Sequence, residues 1–152
     1  MIEQIVRELT NLKRRLDRLE SLEGTPVWAD WTPTVTQSGA VTVTVNNARY
    51  RAIGKSLRLQ GTLTVIGSGT SGFAIVIGGL PVAAAYAAVS GARGAARIFR
   101  SGVTDYACTV LVATTTTLQF TGWNNTSNMG IAPAFGLAVN DQISFECEYE
   151  SV

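Results

Sequence analysis

Three carboxylates, Glu146, Glu148 and Glu150, alternate along one short segment. On a strand they share one face, roughly 7 Å apart, a spacing that suits a calcium site or an acid–base pair. No loop of the DxDxDG kind accompanies them. The favoured reading is therefore a solvated or salt-bridged strand face, set against Arg49, Arg51 or Arg58 on a neighbouring strand. The chain contains no histidine, which removes the commonest general base, metal ligand and pH switch. Gly67-Ser68-Gly69-Thr70-Ser71-Gly72 lacks the lysine of a phosphate-binding loop and no helix follows it, so it reads as a hairpin loop. Cys108 and Cys147 have no CxxC spacing. Cys147 falls on the apolar side of an alternating run and reads as a small buried hydrophobe; a Cys108–Cys147 disulfide stays open.

One segment has the composition of a binding site. Trp123, Asn124, Asn125 and Asn128 lie within Trp123–Met129 and combine an aromatic platform with amides. Sugar recognition needs that pairing: stacking on a ring plus bidentate hydrogen bonds. The competing reading is a turn whose tryptophan packs back onto the core. No residue set on the chain specifies a metal or an organic cofactor. The expectation is a protein that is not an enzyme.

These residues need elements to position them, and the first element is legible from its spacing. Ile2, Leu9 and Leu16 fall at heptad position a, and Ile5, Leu12 and Leu19 at d, a 3-4 spacing that makes one narrow apolar seam. The spacing predicts a helix from about residue 2 to Leu22, roughly 30 Å long, stopped by Gly24 and Pro26. A lone helix of that length is marginal in water, so copies of the chain are expected to wind together. Glu8 at g faces Lys13 at e of a neighbour, and Arg15 at g faces Glu20 at e. Arg15-Leu16-Asp17-Arg18-Leu19-Glu20 matches the pattern Arg-h-x-x-h-Glu of short parallel three-stranded coils, in which the arginine stem covers the seam while its head reaches the glutamate. A parallel homotrimer is expected.

From Trp31 the period changes to 2. Val41–Val45, Leu57–Val65 and Ile143–Tyr149 alternate apolar and polar residues, as half-buried strands do. Further strands are expected near 95–100, 105–112, 117–122 and 130–137, separated by Gly, Ser and Asn turns. A buried strand is expected at Phe73–Ile77, followed by a loosely structured Ala-rich stretch. Eight to ten short strands at this spacing indicate a mainly β head, an antiparallel sandwich or barrel. The organisation expected is a coiled-coil stalk over 1–23, a neck over 24–30 sealed by Trp28 and Trp31, and a β head over 31–152.

Composition limits the partners. Net charge is +1, which provides no global field for nucleic acid. The run Lys13-Arg14-Arg15 with Arg18 reads as ordinary charged heptad positions. Residues 73–92 carry no charge and could imitate a membrane span, but Gly78-Gly79, Pro81 and Gly91 break them, so no membrane insertion is expected. Met1-Ile2-Glu3-Gln4 leads straight into the expected helix, so no signal peptide is expected.

The order of motifs along the head carries a resemblance. Trp31-Thr32-Pro33-Thr34 is followed by Ala48-Arg49-Tyr50-Arg51-Ala52-Ile53-Gly54-Lys55, then Ile75-Val76-Ile77-Gly78-Gly79-Leu80-Pro81. Asn140-Asp141-Gln142-Ile143 and Glu148-Tyr149-Glu150 close the series. This order, over about residues 28–152, resembles the C-terminal head modules of tailed-phage structural proteins: tail-fibre, baseplate receptor-binding and head-fibre proteins. The resemblance implies a trimer with a jelly-roll-like, tumour necrosis factor-like β-sandwich head, located in the virion. It implies contacts with other virion proteins and adhesion to host cell-surface saccharide. It transfers no catalytic residue. A structural capsid or tail decoration protein is the alternative, and a glycan depolymerase working through a carboxylate pair is a distant third.

Overall fold

The computed structural model describes residues 1–23, 27–87, 93–122 and 127–152, excepting the side chains of 17–23. Helix α1 spans Ile2–Glu23, with Glu3 in its first turn, where a carboxylate complements the helix dipole. Ile2, Ile5, Leu9, Leu12 and Leu16 are each more than half exposed. Leu19 and Glu20 belong to the same helix, but their side chains lie outside the described residues.

Ten strands follow among the described residues: β1 Ala29–Asp30, β2 Thr34–Thr36, β3 Ala40–Val41, β4 Val43–Ile53, β5 Ser56–Val65, β6 Val76–Gly78, β7 Gly94–Arg100, β8 Thr104–Thr114, β9 Thr117–Gly122 and β10 Gln142–Glu150. They form one antiparallel sheet in the order β1-β4-β5-β10-β7-β8-β9-β6-β2-β3. Strands β3 and β4 sit near opposite ends of that order, yet Thr42 alone separates them along the chain. The sheet must therefore curl until its two sides meet. Thr42 marks the join: its carbonyl accepts the Ile66 and Gly67 amides at 2.9 and 3.0 Å.

Alternation sets the core. Leu57, Leu59, Leu63 and Val65 of β5 point inward, as do Ile143, Phe145, Cys147 and Tyr149 of β10, and all are buried. Phe145 meets Phe120 of β9 at 6.0 Å and Trp31 edge-on at 6.4 Å between ring centroids. Strands β7 and β8 stand between β10 and β9 in the sheet, so these contacts cross the interior. Room for the Phe145 ring comes from Gly61 opposite it, where an added Cβ would lie 2.5 Å from the ring. Gly94 does the same for β10's backbone: its Cβ would strike the Glu146 carbonyl and come within 2.6 Å of Cys147 Cα.

The structure corrects several expectations. Residues 130–137 form no strand; they make an isolated bridge between Gly130 and Ala134 and fold Phe135 and Leu137 over the core. The strand expected at Phe73–Ile77 is Val76–Gly78, and Phe73 is 48% exposed. The Gly-rich segment 67–72 is no hairpin, because it joins β5 to β6, which are not neighbours. In the Ala-rich stretch, Ala84 is buried and bridged to Ser151. Ala29 and Asp30, placed in the neck by their sequence, pair with Tyr50 and Arg49 as part of the sheet. Trp31 belongs to the core rather than to a junction, while Trp28 lies under the Arg51 guanidinium at 5.0 Å. No helix among the described residues is long and apolar enough to cross a membrane.

The contact at Gly94 can be checked by substitution. Gly94→Ala should destabilise the fold by about 1–3 kcal/mol through overpacking, read as a lower urea midpoint. Gly39→Ala, which enters open space, should change stability by no more than about 0.5 kcal/mol.

Candidate functional site

The outward face of β4, β5, β10 and β7 forms an open trough of about 480 Å³. Register fixes its rows. Asn47, Thr62, Ser144 and Arg97 stand side by side across four strands, and Arg49, Gln60, Glu146 and Ala95 form the adjacent row. The floor is low because Ala95 and Ser144 are small. Ion pairs border it: Arg58 Nη2 reaches Glu146 Oε2 at 2.8 Å, and Arg97 holds both oxygens of Asp105, with Nε to Oδ1 at 3.0 Å. Each pair keeps its guanidinium above the ordinary value, first through the hydrogen bond to the carboxylate. Both pairs are solvent-exposed, so they place side chains more than they stabilise the fold.

Of the three arginines considered for the glutamate row, only Arg58 joins it. Arg49 pairs with Asp30 at 3.4 Å, and Arg51 covers Trp28. Glu148 accepts a hydrogen bond from Ser56 Oγ. Among the described residues, no three Cys, Asp or Glu side chains are grouped to hold a metal ion.

Trp123, Asn124 and Asn125 lie outside the described residues. Asn128 lies within them and acts as a brace. Its Nδ2 donates to Gln119 Oε1 at 3.0 Å, its backbone bridges Thr121, and its carbonyl accepts the Ile131 amide at 3.1 Å. These bonds tie the start of the 127–141 segment to β9.

Two further surfaces stand apart from the trough. The loops at the end of the sheet away from the Ile53–Ser56 turn are anchored by two fully buried polar side chains. Gln37 donates to the carbonyls of Phe73 and Phe135 (3.1 and 2.7 Å) and accepts the Leu137 amide. Asp141 accepts the amides of Ser101 and Ala138, both at 2.9 Å, and lies 3.6 Å from Arg100 Nε. Residues 66–75, 101–104 and 129–140 carry no charged side chain, and Ile66, Phe73, Val103, Ile131 and Val139 are exposed there. At the other end, Lys55, Tyr86, Arg93, Glu148 and Glu150 line a second cleft of about 520 Å³, with the Arg93 guanidinium 5.5 Å from the Tyr86 ring centre.

Sequence reasoning missed Asn47, Gln60, Arg97 and Asp105. A signal existed: Arg58, Gln60, Thr62 and Thr64 are the polar phase of β5, and the polar phase of β10 runs beside it. Gln37 and Asp141 gave none, because each sits in a turn-like context where polar residues are ordinary.

No protein-family model, curated protein or solved structure matches the chain. The molecule is defined by its own geometry: a curled antiparallel sheet preceded by an amphipathic helix.

Cys108 and Cys147 are both free and buried. Burial lifts their thiols to about 11 and about 12, with the Glu146 carboxylate adding to the second. The native state therefore favours the neutral thiol. That stability is complete below the unfolded value of about 9 and drains away as pH rises toward 12. Urea midpoints should fall above pH 9, and Cys147→Ala should shallow the decline. A slope unchanged by that substitution would show that Cys147 does not titrate with unfolding.

Proposed function

We propose that this chain is a non-enzymatic, homotrimeric spike protein of the tailed-phage virion type, whose head adheres to saccharide on a host surface. One observation carries the assembly part of this reading. Five seam residues of the helix, Ile2 to Leu16, stand exposed on a chain whose head already has a complete core. A repeated apolar stripe of that kind is buried by copies of itself. The phase of Arg15 at g and Glu20 at e supports three chains in parallel. The order of head motifs supports the virion setting.

The finer form of the head in this reading is a two-layered, jelly-roll-like sandwich of the tumour necrosis factor-like type. Its support is the long return of β10, which enters between β5 and β7 after an excursion through β8 and β9, as Greek-key connections do. Adhesion would rest on repetition: three weak sites per spike and many spikes per particle give avidity without a strong single site. A second reading, a capsid or tail decoration protein, is favoured by the uncharged loops that expose Ile66, Val103 and Val139. Such a patch suits contact with another protein surface.

An array of bacterial surface polysaccharides tests the adhesion reading. The full chain should bind at least one, and Leu9→Asp/Leu16→Asp should weaken that binding by about a hundredfold or more as avidity is lost, with the near-UV dichroism of the head unchanged. Equal binding by both proteins would overturn the multivalent mechanism. No binding by the wild type would favour decoration.

A further inference from the structure

We propose that the trough across β4, β5, β10 and β7 is the saccharide site, and that its ligand is an uncharged, hydroxyl-rich chain lying across the strands. The inference rests on the adhesion reading and gives it a place and a ligand class.

Four polar side chains in the trough have no protein partner among the described residues: Asn47, Gln60, Thr62 and Ser144. Their neighbours are satisfied. Asn46 Nδ2 donates to Thr64 Oγ1 at 3.0 Å, and Thr109 and Thr121 share a hydrogen bond of 2.6 Å. The four free groups are two amides and two hydroxyls. Each can both donate and accept, which is what a sugar hydroxyl requires.

Charge decides the ligand's character. Arg58 is paired with Glu146, Arg97 with Asp105, and Arg49 at the flank with Asp30. Among the described residues that line the trough, Arg97 and Glu146 are the charged ones and both are paired, so neither is left over to hold an ionic ligand. A charged ligand would have to compete with one of these pairs, of which Arg97–Asp105 is bidentate, whereas a neutral one leaves all three intact. The planar guanidiniums and carboxylates at the border still have outward edges that can hydrogen-bond hydroxyls.

Geometry decides its direction. Asn47, Thr62, Ser144 and Arg97 belong to four successive strands, spaced about 4.8 Å apart. A linear ligand running perpendicular to the strands meets one polar side chain at each step. The small Ala95 and Ser144 leave room for rings to lie against the sheet.

The test uses the full chain on an array carrying neutral polymers (a glucan, a galactan, a rhamnan) and anionic ones (hyaluronate, polysialate, a teichoic acid). Wild type should bind one or more neutral polymers and none of the anionic ones. Gln60→Ala should weaken that binding at least tenfold. Ala95→Trp, made at an exposed position, should abolish it by filling the trough, with melting temperature and assembly mass unchanged. Three results would overturn the assignment: preference for anionic polymers, wild-type binding by Ala95→Trp, or a change in assembly mass on that substitution, which would make the trough a contact between copies. If Trp123→Ala abolishes binding and Ala95→Trp does not, the trough is refuted while adhesion stands. If nothing on the array is bound, both are refuted.

Discussion

The head depends on one strand. β10 is hydrogen-bonded along Gln142–Glu150 to Ser56–Thr64 on one side and along Gln142–Cys147 to Gly94–Phe99 on the other. Without it the sheet falls into two pieces, β1-β4-β5 and β7 onward. Its inward side chains, Ile143, Phe145, Cys147 and Tyr149, are all buried, and Phe145 spans the interior to reach Trp31 and Phe120. Of its outward side chains, Ser144 lies in the trough and Glu146 at its border, paired with Arg58. Core and surface are thus two faces of the same nine residues. Because its partners lie far back along the chain, the sheet cannot close until the last strand is in place, a topology that slows folding.

The two halves of the molecule meet different physical demands. The head closes most of its own core, since the inward apolar side chains of its strands face one another and its buried Gln37 and Asp141 are hydrogen-bonded. The helix does not, because its seam residues Ile2, Ile5, Leu9, Leu12 and Leu16 stand exposed. Charge is divided too. The helix carries balanced charges, the trough and the Ile53–Ser56 end carry most of the rest, and the loops held by Gln37 and Asp141 carry none. A net charge of +1 leaves recognition to short-range geometry instead of long-range attraction.

An uninterrupted side-chain period made most elements readable, but Val41–Val45, which alternates as cleanly, is broken at Thr42 between β3 and β4. The heptad predicted a helix ending near Leu22, and it ends at Glu23. Alternation in 57–65 and 143–149 predicted β5 and β10 to within a residue at either end, and the strand expected near 117–122 is β9. Reading failed where burial comes from position in the fold. Phe135 and Leu137 are apolar because they cap the core, stacking Phe135 on Tyr106 at 5.1 Å, and that spacing imitates a strand. Phe73 looks like core and is exposed, since Gln37 holds its backbone and leaves its side chain outside. The polar phases of β5 and β10 were legible one by one, but not the trough they form, because its rows come from four strands and register between distant strands is invisible in any one of them. Asn128 looked like a ligand-binding amide until its partner, Gln119, came alongside.

Everything functional in this account requires that the helix seam be buried by other copies of the chain. Sedimentation equilibrium of the full chain at micromolar concentration tests that most directly. A single species of three times the 16.1 kDa chain mass is expected, lost when Leu9 and Leu16 become aspartate. A monomer of 16.1 kDa at that concentration would contradict it.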